Sequence, residues 1–264
     1  MLQQIILYAV LLVAAIGAMV GWSNAKKGAA WGQPMTIICA IVAICMGLYL
    51  AYRNSSNSVD REAAIERENT YRLAKVSILA GKVNELLSGK KGIVVVDPSA
   101  NPEKDIELVK WKEILNLTND DFVKPDEPPR PAGEDPETYM SEPLEEWFRE
   151  AMLKKILEGK QFDYVIFTTV LPRDIKAKAG QFLAPFLKGK TVVFANGDLM
   201  GCAPFFNTGV AVAAITSNPK AVYDDKPAPK EVQAAFDKRY ILVTKENFEE
   251  LVKSNPDIFG IQQK

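Results

Sequence analysis

The sequence contains no histidine. That removes the commonest general base and the commonest metal ligand, and it rules out Ser-His-Asp and Cys-His nucleophile activation. Cysteine is scarce. Cys39 and Cys45 fall in an apolar run, and Cys202 is alone in the rest of the chain, so no disulfide can form within that part. No G-x-G-x-x-G follows the first β-branched run and no G-x-x-x-x-G-K-[ST] occurs anywhere, which argues against dinucleotide and P-loop sites. Net charge is −1 over 264 residues, so the chain offers no strong field for nucleic acid. Paired acidic residues for Mg²⁺ are also missing beside the first strand, and neither a metal nor a cofactor is expected.

What the chain does have is apolar length at its start. Ile5 to Gly21 and Met35 to Tyr52 are almost wholly apolar, with a short turn, Trp22 to Pro34, between them. Runs of about 18 uncharged apolar residues are long enough to cross a bilayer as helices. Neither run shows the polar face of a soluble core helix. The start, Met1-Leu2-Gln3-Gln4, lacks the positive charge of a secretory signal, and a second run follows at once. The expectation is a transmembrane helical hairpin over 1–52. Small residues stand at helix-packing spacing: Gly17 and Gly21, then Ala43, Gly47 and Ala51. They can pack one helix on the other or on another subunit. Tyr8, Trp22, Trp31, Tyr49 and Tyr52 lie near the ends, where amphipathic rings favour the interface.

Arg53 to Ser58 reads as a polar exit from the membrane. A stalk and docking helix over 53–88 follows, charged on most faces from Asp60 to Glu68 and then striped by Leu73, Val76, Ala80, Val83 and Leu87. Gly89 suits its stop. Strand-like runs then alternate with helical patterns through 89–264: Gly92–Val96, Tyr164–Thr169, Lys190–Ala195, Val210–Thr216 and Tyr240–Thr244 as strands. Helices are expected at Glu103–Leu117, Pro143–Lys160, Asp174–Leu187 with a possible kink at Pro185, Pro229–Asp237 and Glu246–Ser254. Thr118 to Glu142, rich in Pro and acid, reads as a surface excursion. Continuous apolar strands alternating with helices predict a Rossmann-like three-layer α/β domain with a mostly parallel sheet of about five strands.

In such sheets ligands bind beyond the carboxyl ends of the strands, where strand order reverses. That places Asp97, Ser99 and Asn101 after the first strand, Thr168 and Thr169 after the second, and Asn196 and Asp198 after the third, as a polar crescent for a small molecule. The same residue types make ordinary turns and helix caps. Asp97 and Asp198 could also act as a carboxylate pair in a histidine-free hydrolase or lyase. No catalytic residue is assigned. Leu199, Met200, Phe205 and Phe206, in the apolar connection Asn196 to Gly209, are candidate partner contacts, with burial over the sheet end as the other reading.

Three functions follow. The first is a membrane-anchored structural or interaction subunit, with the lipid bilayer, other membrane subunits or further copies of itself as partners. The second is a small-molecule binding or sensing domain. The third is a membrane-tethered enzyme using Asp97 and Asp198. Lys26 and Lys27 in the turn, against no Lys or Arg before the first run and Arg53 alone just after the second, predict a cytoplasmic turn. In a bacterium that is an inner-membrane protein with a periplasmic domain. Arg61, Arg67 and Arg72 lie close enough to the membrane to oppose this.

Overall fold

A computed structural model describes residues 2–128, 142–178 and 187–261, with the side chains of 2–9, 11, 50–60 and 176–178 outside the description. The chain divides into two compact units, Met1–Glu66 and Arg67–Lys264.

The first unit is helical. Helix α1 (Leu2–Lys26) is followed by a tight turn in which Gly28 takes φ +79°. Helix α2 (Gly32–Leu87) begins in this unit and supplies the start of the second. Two features explain how α1 and α2 come close. A Cβ on Gly17 would stand 2.8 Å from the Cys39 Sγ, and one on Gly21 2.6 Å from the Thr36 Oγ1. Gly32 lies against the α1 backbone, where a Cβ would meet the Ala25 Cα at 2.8 Å. Glycine at such contacts lets helix backbones approach. Gly47 has nothing within 4 Å and Ala43 is half-buried, while the side chain of Ala51 lies outside the described residues. The large apolar side chains point the other way: Leu12, Val13, Ile16, Met19, Ile37, Ile38, Ile41, Ile44 and Leu48 are all exposed. Among the described residues one helical stretch, Gly32–Tyr49, is long and apolar enough to cross a membrane.

The second unit is a mixed α/β domain. Its strands are β1 (Gly92–Val95), β2 (Phe122–Val123), β3 (Tyr164–Phe167), β4 (Thr191–Gly197), β5 (Ala211–Ser217) and β6 (Tyr240–Thr244), in the order β2-β1-β3-β4-β5-β6. The first five are parallel, and β6 runs antiparallel to β5. Alternate side chains feed two cores, as the period of two requires. Ile93, Val95, Val165, Phe167, Val192 and Phe194 enter one, under α5 (Glu150–Leu157), α7 (Ala203–Asn207) and α9 (Phe248–Ser254). Val94, Val96, Ile166, Val193, Ala213 and Ile215 enter the other, under the last part of α2, α3 (Ile106–Leu115) and α8 (Val232–Arg239). Short helices α4 (Leu144–Trp147) and α6 (Arg173–Lys178) complete the set.

Several expectations are refined. The sheet has six strands rather than about five. The added strand is Phe122–Val123, inside the segment expected to be a surface excursion, and two residues are too short to carry a periodic signal. The rest of that excursion, 129–141, lies outside the described residues. The helix expected over Pro143–Lys160 breaks at Phe148, whose extended backbone (φ −69°, ψ 119°) puts its ring in the core. The polar exit at Arg53–Ser58 is helical and does not interrupt α2. The small helix penalties of Asn and Ser are outweighed by the long helical segments on either side. The helix expected to run to Leu187 is described only as α6, and Pro185 falls outside the described residues. Of the docking stripe, Val76, Ala80, Val83 and Leu87 are buried and Leu73 is half-buried. Tyr71, Ala74 and Leu79 join them, a wider face than the stripe alone.

Candidate functional site

Strand order reverses between β1 and β3, because the chain leaves β1 toward β2 on one side and continues from β3 to β4 and β5 on the other. The crescent lies at the carboxyl ends of these strands. After β1, the Asp97 carboxylate accepts from the Ser99 N–H (2.9 Å) and the Ser99 hydroxyl (2.6 Å), and Asn101 accepts from the Glu103 N–H (2.9 Å). After β3, the Thr168 hydroxyl donates to the Val95 carbonyl (3.0 Å) and Thr169 is buried. Asn196 lies within the end of β4 rather than after it, where its side chain accepts from the Asp198 N–H (3.3 Å), and beyond the strand the Asp198 carboxylate accepts from the Met200 N–H (2.9 Å). The loops after β1 and β4 thus fold on their own side-chain-to-backbone turns, the local chemistry expected of Asp, Asn and Ser, whereas Thr168 ties the end of β3 to β1.

The three loops follow neighbouring strands, so they share one edge of the sheet. β1 and β4 flank β3, which separates the backbones of the Asp97 and Asp198 loops by about 10 Å at ordinary strand spacing. Asp97 and Ser99 are exposed, with Asn101 beyond them at the entry to α3. The Ser99 and Thr168 protons are given to Asp97 and Val95, so the crescent presents carboxylate, amide and hydroxyl oxygens as acceptors to a small polar molecule. Among the described residues no group of three or more His, Cys, Asp or Glu gathers to hold a metal.

The expected partner contacts separate sharply. Leu199, Phe205 and Phe206 are core residues, so as surface contacts they are corrected: Phe205 packs edge-on against Phe194, and Phe206 stacks on Phe248 with centroids 4.9 Å apart. Helix α7 is the reason. It turns the connection between β4 and β5 into an amphipathic cover, a structure hidden by the glycines and proline around it. Of the four, Met200 is the one left exposed, at 56%.

Sequence reading missed a charged clamp at the same edge of the domain. The Arg239 guanidinium, 4% exposed, donates to both Glu68 oxygens (2.5 and 2.9 Å) and lies 3.6 Å above the Tyr71 ring. Tyr223 covers its other approach at 4.9 Å. Beside it Arg67 meets Asp225 (3.3 Å), and Lys238 meets Asp224 (3.0 Å). The hydrogen bonds from Arg239 hold the Glu68 carboxyl below the usual carboxylate range, against a smaller opposing effect of burial. Further along α2, Arg72 bonds Glu107 (2.7 Å) and Asp105 (3.4 Å), and Lys75 bonds Glu107 (2.8 Å). Glu68 and Arg239 are 171 residues apart, and no local pattern marks such a pair. The clamp fixes α2 to α3 and α8.

A groove of about 440 Å³ opens at the opposite, amino edge of the sheet, lined by Asn84, Lys90, Lys91, Asn116, Asp121 and Tyr164 among others. Tyr164 lies over Gly92, where an added Cβ would stand 2.6 Å from its hydroxyl. Burial, with Asp121 and Asp163 nearby, pushes the Tyr164 hydroxyl above its ordinary value, so it stays protonated.

No protein-family model, no curated protein and no solved structure matches this chain.

Proposed function

We propose that this protein is a membrane-anchored structural or interaction subunit: α1 and the start of α2 form a transmembrane hairpin, and a Rossmann-like domain is presented at the membrane surface. One observation carries the reading. In the first unit small residues face inward and large apolar side chains face outward, with Met19 73% and Ile44 62% exposed. In water an apolar surface of that extent would be strongly unfavourable, whereas in hydrocarbon it is the ordinary arrangement. Trp22 and Trp31, both exposed at the turn end, suit the aromatic belt of the interface. An apolar surface that continuous also suits other membrane subunits or further copies of this chain.

On the positive-inside rule the Lys26–Lys27 turn is cytoplasmic and the domain lies outside, which in a bacterium means an inner-membrane protein with a periplasmic domain. Three measurements test the reading. Release of the chain from native membranes by alkaline carbonate would refute the anchor. A lone monomer in mild detergent, with nothing co-purifying, would refute the subunit role. A membrane-impermeant lysine reagent on outer-permeabilised cells should label the domain and spare the turn, and the reverse pattern would invert the topology.

A second reading has its own support. The reversal of strand order between β1 and β3 brings Asp97, Ser99 and Thr168 to the position where such sheets bind small molecules. A thermal shift with a polar metabolite, lost in Asp97→Ala and Thr168→Val, would establish it.

A further inference from the structure

The turn end of the first unit has a cleft of about 480 Å³, lined by Trp22, Ala25, Lys26, Gln33, Thr36 and Ile37. Its walls differ in chemistry. Ala25 and Ile37 are apolar, and Gln33 supplies an exposed amide. The Lys26 ammonium stands 5.3 Å from the centre of the exposed Trp22 ring. Lys27 follows in the chain and is also exposed. These two cations have no carboxylate to answer them along this stretch: residues 1–59 contain no Asp or Glu, and the first acid is Asp60. A lysine in the last turn of a helix gains from the helix dipole, which accounts for its place in the sequence. That accounts neither for a second lysine nor for the cleft beside the first.

We propose that this cleft seats the headgroup of an anionic phospholipid. The phosphate and headgroup lie against Lys26 and Lys27 with Trp22 beside them, and the first acyl carbons lie on Ala25 and Ile37. The inference rests on the membrane reading above. Charge complementarity selects the lipid: basic pockets between membrane helices take anionic headgroups, and the cytoplasmic leaflet is rich in them. A zwitterionic lipid would leave both lysines without net counter-charge.

The test uses the full chain purified in mild detergent and exchanged with defined phosphatidylglycerol and phosphatidylcholine, with retained lipid read by native mass spectrometry. Wild type should retain phosphatidylglycerol in preference to phosphatidylcholine. Lys26→Gln and Lys27→Gln should each cut that preference about fivefold, and the pair more, while Lys26→Arg keeps it. Excess inorganic phosphate should not displace the lipid, because it lacks the acyl chains. Equal retention of both lipids, an unchanged preference in the double glutamine variant, or displacement by phosphate would each overturn the proposal. Alkaline carbonate extraction separates this failure from the larger one. A chain that stays in the membrane with no lipid preference loses the headgroup seat alone, and a chain that leaves the membrane loses both.

Discussion

The two units bury opposite kinds of side chain. In the second, Trp111, Phe148, Phe167, Phe194 and Ile215 are fully inside, and among the described residues Arg239 is the one charged side chain buried with them. In the first, Gly17, Gly21 and Gly32 are at the contact and Ile16, Ile37, Ile38, Ile41 and Ile44 are outside. The same nineteen residue types are sorted in opposite ways in the two units. Removing apolar area from water drives large side chains inward. Where the surroundings are themselves apolar that drive vanishes, and close backbone approach at small residues decides the packing.

The strongest break of this contrast is a matched pair of truncations. Phe194→Ala removes a ring that touches Phe167, Phe205 and Phe206 in the core of the second unit. It should cost about 3–5 kcal/mol in chemical denaturation of the domain. Ile44→Ala removes a side chain that is exposed in the first unit. It should leave domain stability unchanged and show up, if anywhere, as weaker membrane retention. A comparable loss of domain stability for Ile44→Ala would mean that its side chain is packed in water, and the contrast would fail.

Glycines sharpen the contrast next, because both units contain close approaches that only Gly allows. Gly92→Ala drives a methyl into the Tyr164 ring and should cost about 1–3 kcal/mol, partly recovered in a Gly92→Ala/Tyr164→Leu double variant. In the first unit Gly17→Val should push α1 from α2 at Cys39, whereas Gly47→Ala, with nothing within 4 Å, should leave the packing of this chain intact. Far-ultraviolet circular dichroism in detergent, with thermal melts, checks the two helix variants. No recovery in the double variant would show that Gly92 is held for some reason other than the ring above it.

How much of this was legible in the sequence follows the range of each signal. The strands at Tyr164–Phe167 and Tyr240–Thr244 were readable because β-branched and aromatic runs are a local signal. Helix α3 was readable from the spacing of its apolar residues, but it starts at Ile106 rather than Glu103, because Asp105 caps it by accepting from the Glu107 and Leu108 N–H groups. Strand β2 was not, since two residues have no period. The break at Phe148 was not, because it answers to a core assembled from distant elements. At the candidate site the order of loops was legible, as it follows from alternating strands and helices. The Glu68–Arg239 clamp was invisible, since its partners are brought together by the fold rather than by spacing. The burial of Leu199, Phe205 and Phe206 was one of two open readings, and composition alone did not choose between them.

The clamp also predicts a pH dependence. Glu68→Gln leaves the shape and removes the charge that faces the buried Arg239. Glu68 is half exposed, so water screens part of the loss, and a cost of about 1–2 kcal/mol is expected. The Glu68 carboxyl is held below its ordinary value in the folded domain, chiefly by the Arg239 hydrogen bonds. Its contribution is therefore fully present above the ordinary glutamate range and is lost as pH falls through the lowered folded value. Wild type should lose stability on acidification more steeply than Glu68→Gln, the two curves converging at low pH in parallel urea titrations. Parallel curves throughout would show that the pair contributes nothing titratable.

The smallest expected effect bears on the crescent. Asp97 is exposed, and its carboxylate closes a turn with the Ser99 N–H and hydroxyl. An exposed turn of this kind contributes little, because water replaces both bonds when the carboxylate is removed. Asp97→Ala should therefore change domain stability by no more than about 0.5 kcal/mol, the range of surface substitutions away from special features. That small number has a use. If the loop is only a turn, any residue able to adopt the backbone serves, and Asp97→Ala is silent in every binding assay. If the crescent holds a ligand, the same variant stays folded and abolishes the ligand-induced thermal shift. A cost of 2 kcal/mol or more, of the order of losing a strong helix cap, would instead make Asp97 a structural residue and remove it from the candidate site.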